Sequence, residues 1–191
     1  MKTKFWALLA LLVLTISGTA VATNITFITF SEFPVGTIIT NQYLGLGDMV
    51  TFSGALDGPP IIANDAAMPD SPVLSPNPPY AGTFNINFPS GAIDVQFDSG
   101  YWDTVGSGVI TLYAPGGGFI ATLSDTTIGV DHFNLTSYGD IGRIYFDSTA
   151  DPYGADIDNL QFAATTPEPG SLVLFGSGLL GLAGWARKFV S

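Results

Sequence analysis

The sequence predicts an all-β protein: an antiparallel β-sandwich of the jelly-roll type, flanked by an N-terminal signal peptide and a C-terminal transmembrane helix. Apolar and polar residues alternate with a period of two in Phe84–Phe88 and again in Ile93–Phe97, as expected for half-buried strands. Turn formers are frequent, with 23 glycines and 13 prolines among 191 residues. At 47% apolar and 11% charged, the composition argues against disorder, and the scarcity of helix formers argues against a helical bundle.

About ten short strands are predicted within residues 23–164, which we assign to the sandwich domain. Phe84–Phe88 and Ile93–Phe97 would form a hairpin around Pro89-Ser90-Gly91, and the glycine-rich run 114–118 would join two further strands. The remaining predicted strands are Asn24–Phe30, Thr37–Thr40, Met49–Ser53, Val109–Ala114, Phe119–Leu123, His132–Thr136, Ile141–Asp147 and Ile157–Phe162.

Residues 57–80 differ from the rest of this domain because they contain seven of the thirteen prolines. Irregular segments of this length inside a compact domain are uncommon and are usually functional or disordered. We therefore predict a mobile surface excursion here, with a binding loop as the alternative.

Residues 1–22 have the features of a secretory signal peptide. Lys2 and Lys4 precede the short apolar run Phe5–Ile16, and Ala20-Val21-Ala22 supplies the small residues that signal peptidase requires. Cleavage is expected between Ala22 and Thr23, and the alternative is an uncleaved N-terminal anchor.

The last residues, 165–191, contain a proline-bearing motif, an apolar stretch and a basic pair in that order. Pro167-Glu168-Pro169 is followed by seventeen residues without charge, 170–186, and then by Arg187 and Lys188. Seventeen residues is the lower limit for a helix that crosses a membrane. The positive-inside rule leaves Arg187 and Lys188 in the cytoplasm and the body outside.

This order of parts resembles the PEP-CTERM sorting domain of exported Gram-negative bacterial proteins. The resemblance implies processing by an exosortase, with Pro167, Glu168 and Pro169 as the recognition motif. Leu172–Trp185 would be a transient anchor in the inner membrane, and Arg187 and Lys188 the cytoplasmic stop. After processing, the protein would reach the cell surface or the extracellular matrix. The alternative is an ordinary C-terminal anchor behind a proline-bearing linker.

The charge of the body limits its partners. Between Thr23 and Thr166 there are fifteen carboxylates and one cation, Arg143, which gives a net charge of −14. Such a surface excludes nucleic acid, whose phosphates require many lysines and arginines. It is compatible with divalent cations, basic partners or neutral sugars, and it also keeps an apolar domain soluble.

The body also resembles a domain of exported PEP-CTERM proteins that is similar to carbohydrate-binding jelly rolls. The resemblance lies in residues 28–37 with Asn41-Gln42-Tyr43, and in Ile144-Tyr145-Phe146 with residues 155–162. It implies that acidic residues of the first and last strands share a structural calcium ion, with Glu32 and Asp158 as the ligands. Four aspartates crowd one twelve-residue stretch near the end: Asp147, Asp151, Asp156 and Asp158. The alternative is that these are solvated aspartates that initiate turns.

Aromatic side chains are candidate contacts for extracellular polysaccharide. Tyr101 and Trp102 follow a predicted strand, and Trp102 is the only tryptophan outside the two terminal segments. Candidate companions are Tyr43, Tyr80, Tyr113 and Tyr153. The alternative is that these rings fill the core of the sandwich or cover its rim.

The sequence gives little support for catalysis. It has no cysteine, one histidine, His132, and no GxSxG nucleophile elbow. With fifteen carboxylates in the body, any chosen pair is uninformative as a glycosidase site. We therefore expect a non-enzymatic, structural or adhesive protein that binds polysaccharide, and the alternative is a secreted glycan-active hydrolase.

Overall fold

A computed structural model describes residues 24–46, 49–165 and Gly176. The strands are β1 Ile25–Ile28, β2 Thr51–Gly54, β3 Ile61–Ala63, β4 Val73–Ser75, β5 Thr83–Trp102, β6 Val109–Tyr113, β7 Phe119–Leu123, β8 Gly129–Asn134, β9 Ile141–Asp147 and β10 Asp156–Ala164. The helical elements of these residues are short: α1 (Gln42–Leu46) and a 3-10 turn at Thr136–Tyr138. Residues Thr23–Thr165 form one compact unit.

All strand pairs are antiparallel, and the long strand β5 connects two layers. Its first half pairs with β2 and β9, and β9 continues to β6 and β7. Its second half pairs with β8 and β10, and β10 continues to β1 and to β4, which pairs with β3. The predicted antiparallel β-sandwich is confirmed.

The core lies between these layers and follows the alternation of the sequence. Phe84, Ile86 and Phe88 are buried, whereas Asn87, which lies between the last two, is partly exposed. Rings from the two layers meet at Trp102 and Phe146, whose centroids are 6.0 Å apart. Burying large apolar side chains of this kind stabilises a fold by roughly 1.5–3 kcal/mol each.

The predicted hairpin at Pro89-Ser90-Gly91 is wrong, because residues 83–102 form one continuous strand. The chain bends there instead of reversing: β9 pairs with β5 on both sides of the bend, at Asn87↔Arg143 and at Ala92↔Ile141. Gly91 has a φ of +83°, and a Cβ at this position would lie 2.2 Å from Asp140 Oδ1. Glycine is therefore needed for the bend and not for a turn.

The prediction of a mobile surface excursion at residues 57–80 is contradicted. This proline-rich segment contains β3 and β4, and Leu74 of β4 pairs with Ile157 of β10. Its side chains Ile62, Val73 and Leu74 are buried in the core. The prolines lie outside the two short strands, so they do not remove any ladder hydrogen bond.

The other strand predictions agree with the fold in most places. The bounds of β7 and β9 are those predicted, and residues 114–118 join β6 to β7 as expected. Thr37–Thr40 is the exception, since it makes only an isolated bridge between Ile38 and Ile61.

Candidate functional site

Asp158 lies on β10 directly opposite Asp98 of β5 and is almost completely buried, with 1% of its surface exposed. Its Oδ1 accepts a hydrogen bond from the backbone N–H of Asn159 at 2.7 Å. Its Oδ2 is buried and has no partner among the described residues. An unpartnered buried carboxylate oxygen is costly, so this atom is a candidate ligand for a cation.

The charged side chains that act on Asp158 are all acidic. Burial raises the pKa of Asp158 to about 7, the Asn159 N–H opposes this, and the charges of Asp70, Asp98 and Glu32 add to it. Glu32 thus lies close enough to Asp158 for their charges to interact. The acidic residues whose charges act on Asp158 therefore include Glu32, which the sequence singled out, and also Asp70 and Asp98.

Glu32 is positioned by its own loop and by a buried aromatic cluster. The Thr29 backbone N–H donates to Glu32 Oε1 at 3.3 Å, and the Tyr43 hydroxyl donates to Oε2 at 2.9 Å. Tyr43 packs edge-on against Phe30 and Phe33. These contacts hold an exposed carboxylate at the end of β1 in a defined place.

Asp98 is held by two side chains. Its Oδ1 lies 2.7 Å from His132 Nδ1, and its Oδ2 accepts a hydrogen bond from Asn159 Nδ2 at 3.0 Å. His132 is thus paired with a carboxylate on the neighbouring strand, as its position opposite Asp98 in the ladder requires.

The four crowded aspartates near the C-terminus of the body have different roles. Asp151 is buried and accepts hydrogen bonds from the backbone N–H groups of Asp103, Thr104, Tyr153 and Gly154 and from the Ser107 hydroxyl. Asp147 accepts from the backbone and the hydroxyl of Thr149. These two aspartates organise turns, as the alternative stated, but Asp151 is buried and not solvated.

The carboxylates around Asp158 are too few to coordinate a hard cation by themselves, so neutral oxygen ligands would also be needed. Among the described residues, no group of three or more acidic or histidine side chains is close enough to hold a metal ion. A calcium ion at Asp158 would therefore complete its shell with carbonyl, amide and water oxygens, which calcium accepts. The orphaned Asp158 Oδ2 is the observation that fits such an ion.

The two predicted glycan contacts, Tyr101 and Trp102, are placed differently by the fold. Tyr101 is 43% exposed, whereas Trp102 is completely buried. A Cβ at Gly108 would lie 2.4 Å from the Trp102 ring, which shows how closely the indole is packed. The structure contradicts Trp102 as a glycan contact, because a ring inside the core cannot meet a ligand in solvent. Among the proposed companions, Tyr43 is buried and Tyr153 is 77% exposed.

A polar and aromatic surface covers the solvent side of the layer β2–β5–β9–β6–β7, which we call the open face. Its centre is a cation–π contact: the guanidinium carbon of Arg143 lies 4.1 Å from the centroid of the Tyr113 ring. Phe119 of β7, paired with Tyr113, is 67% exposed and meets it edge-on. The open face thus joins two exposed or half-exposed rings to the only Lys or Arg of the body.

Amide and hydroxyl groups continue the open face across the neighbouring strands. Asn87 lies opposite Arg143, and Asn85 lies opposite Tyr145. Asn85 itself is buried, so it is not part of the accessible surface. Its Nδ2 donates to the Gly54 carbonyl, while its buried Oδ1 has no partner among the described residues. Burial, followed by the charge of Asp147, raises the pKa of Tyr145 to about 12, so its hydroxyl stays neutral and donates to Asp147.

Sequence reasoning did not single out the open face as a site. Alternation within β5 and β9 does separate Asn87, Arg143 and Tyr145 from their buried neighbours. Only the register of β5, β9 and β6 brings these side chains together with Tyr113.

The sorting residues Pro167, Glu168, Pro169, Arg187 and Lys188 lie outside the described residues, as does the signal peptide. The predicted transmembrane stretch 170–186 lies outside them as well, except for Gly176. Within the described part of the chain, no helix has the length and apolar character needed to cross a membrane.

Comparison with known proteins identifies the C-terminal segment. Residues 165–188 match the PEP-CTERM protein-sorting motif. The chain therefore carries the sorting signal of an exported protein, as the sequence predicted. No curated protein matches.

Several solved structures share a partial likeness with the body. A variant of CBM29-2, described as a family 29 carbohydrate-binding module, is 14% identical with a TM-score of 0.32, covering 76% of this chain and 99% of its own. A structure described as a carbohydrate-binding module of family 29 is 15% identical with a TM-score of 0.31, covering 64% of this chain and 97% of its own.

Proposed function

We propose that this exported protein is a non-enzymatic, structural or adhesive component of the cell surface or extracellular matrix that binds polysaccharide through the open face. After export, cleavage by signal peptidase and sorting by an exosortase, the body would act outside the cell. The observation that supports binding best is the stacked Arg143–Tyr113 pair beside a row of amide and hydroxyl side chains.

The chemistry of the open face suits a sugar chain. Sugar rings present apolar C–H faces to aromatic rings, while their hydroxyls need hydrogen-bond donors and acceptors. Tyr113 and Phe119 supply the rings, and Arg143 and Asn87 supply donors on the adjacent strands. Because the whole body carries a net charge of −14, we expect neutral glycans to be favoured over polyanionic ones.

A structural calcium ion at Asp158 and Glu32 belongs to the same proposal. The ion would tie the last strand, β10, to the loop that follows the first strand, β1. It would also offset the repulsion between Asp158, Asp98 and Asp70. Its role would be to hold the sandwich together and not to contact the sugar, since these residues lie on the layer that does not carry the open face.

The alternative, a secreted glycan-active hydrolase, has one feature in its favour. A carboxyl group with a raised pKa beside an ionised carboxylate is the arrangement of a glycosidase acid and its partner. Here the carboxyl groups with raised pKa, Asp156 and Asp158, are 0% and 1% exposed, so a glycosidic oxygen could not reach them.

A glycan array followed by product analysis separates these functions. The binding proposal expects retention of neutral polysaccharides with no change in their chain length. Release of shorter chains would overturn it in favour of the hydrolase. Absence of binding to every neutral and acidic glycan tested would overturn both.

A further inference from the structure

Asp156, at the start of β10, is the most completely isolated carboxyl group in the described part of the chain. None of its surface is exposed, and neither Oδ1 nor Oδ2 has a hydrogen-bond partner among the described residues. Leaving such a group charged and unpaired costs several kcal/mol, so a native structure normally supplies a compensating partner.

The groups that face Asp156 come from the proline-rich segment. Burial is the main cause that raises the pKa of Asp156 to about 8. The Ser75 hydroxyl lowers this pKa, and the Asp65 carboxylate raises it further. Ser75 belongs to β4, whose Leu74 pairs with Ile157 beside Asp156. Ser75 does not meet hydrogen-bond geometry with Asp156, so the carboxylate oxygens remain available.

Tyr80 links the chain beside Asp156 to the chain beside Asp65. The Ala155 N–H, next to Asp156 in the chain, donates to the Tyr80 carbonyl at 3.0 Å. Tyr80 has a raised pKa because of burial, followed by the charges of Asp156 and Asp65. Its hydroxyl donates to the Asn64 carbonyl at 2.8 Å, next to Asp65 in the chain. The oxygen groups around Asp156 are thus one further carboxylate, two hydroxyls and a carbonyl group.

The described part of the chain offers no cation to Asp156. In the described residues the side chains that can carry a positive charge are Arg143 and His132. Arg143 is stacked on Tyr113 in the other layer, and His132 is paired with Asp98. A purely oxygen donor set with two carboxylates matches the preference of calcium-type cations.

We propose that Asp65 and Asp156 bind a divalent cation of the calcium type, in a site separate from the one proposed at Asp158. Two residues of an extended strand span roughly 7 Å, which leaves room for two ions side by side. The ion at Asp156 would fasten the proline-rich segment to β10. This inference does not depend on polysaccharide binding, and its test contains no sugar.

Calorimetric titration of the exported full chain, purified in detergent, with calcium counts the ions. Two ions are expected for the wild type, one for Asp156→Asn, one for Asp65→Asn and one for Asp158→Asn. Asp103→Asn, a change at an exposed aspartate, is the matched control and should keep two. The proposal would be overturned if the wild type binds a single ion and Asp158→Asn abolishes its binding. It would also be overturned if the Asp156→Asn variant still binds two ions.

Terbium luminescence then locates the ion. Terbium replaces calcium and is excited through nearby tyrosine rings, so the signal from the Asp156 site should pass through Tyr80. Tyr80→Phe should reduce the luminescence while leaving the number of bound ions unchanged, and Asp65→Asn should reduce both. If Asp156→Asn does not fold, Asp65→Asn alone decides: full retention of ions and luminescence in that variant refutes the site.

Discussion

Asp98 and Asp158 lie directly opposite one another on β5 and β10, so two carboxylates occupy neighbouring positions of one antiparallel ladder. Like charges placed opposite each other on adjacent strands destabilise a sheet. Asp98 is compensated by His132 and Asn159, whereas Oδ2 of Asp158 is left without a partner among the described residues. The relationship explains why we expect cations and protons to control the stability of this body.

Calcium should stabilise the protein against heat. Because the ion would bind the folded state only, a concentration of 100 times Kd should add about 2.7 kcal/mol. Asp158→Asn should remove the part of the rise in Tm that its own ion contributes, and Asp103→Asn should leave the whole rise intact. Differential scanning calorimetry with calcium, with chelator, and with monovalent salt at equal ionic strength measures the effect. A Tm that is the same with calcium and with chelator would contradict the calcium site at Asp158.

Stability without divalent cations should fall as the pH rises. The pKa values of Asp156 and Asp158 are raised from 3.8 to about 8 and about 7 in the folded protein. The folded state therefore holds protons that the unfolded chain has released, and this stabilisation is lost between about pH 4 and pH 8. Urea unfolding in chelator at pH 5 and pH 8.5 should show the drop.

Two variants sharpen this pH experiment. Asp156→Asn and Asp158→Asn should each flatten the pH dependence, because asparagine does not titrate. Asp103→Asn should follow the wild type. Unfolding free energies that are equal at both pH values in the wild type would contradict burial of titrating acids on β10.

Glycan binding should depend on the open face. Arg143→Ala and Tyr113→Ala should each weaken binding of a glycan identified on the array by about tenfold, or roughly 1.4 kcal/mol. Tyr153→Ala, which removes an exposed ring away from this layer, is the matched control. Affinity electrophoresis measures the change. Loss of binding in Tyr101→Ala, with full binding in Arg143→Ala and Tyr113→Ala, would move the site to the predicted Tyr101 surface.

The sorting motif should be needed for release from the inner membrane. Replacing Pro167, Glu168 and Pro169 by alanine leaves the apolar stretch and the basic pair intact, so the chain should still insert. It should then stay in the inner-membrane fraction, whereas the wild type is processed. Fractionation and immunoblotting in the native host give the answer, and normal processing of the alanine variant would show that another signal is used.

The sorting signal and the class of fold could both be recognised in the sequence. Both depend on local patterns: a run of uncharged residues between Pro167-Glu168-Pro169 and Arg187 is visible in any conformation, and the period-two alternation of Phe84–Phe88 reports a strand with one buried face. The bounds of β7 and β9 were predictable because glycine and polar turn residues flank them. Glu32 and Asp158 were singled out by the resemblance to carbohydrate-binding jelly rolls, and β1 and β10, the strands nearest to them, pair antiparallel.

Which side chains meet is known only from the tertiary structure, because strand register and layer assignment depend on contacts between residues that are far apart in the chain. Alternation predicts that Arg143 faces away from the core, but the pairing of β6 with β9 places it over Tyr113. The sequence suggested Trp102 as a surface ring, because it stands at the end of a predicted strand. In the fold the indole is buried and packs against Gly108. Prolines suggested an excursion at residues 57–80, whereas pairing of β4 with β10 makes this segment part of the sheet. In each case the free energy of burial and strand pairing, summed over distant residues, outweighed the local signal.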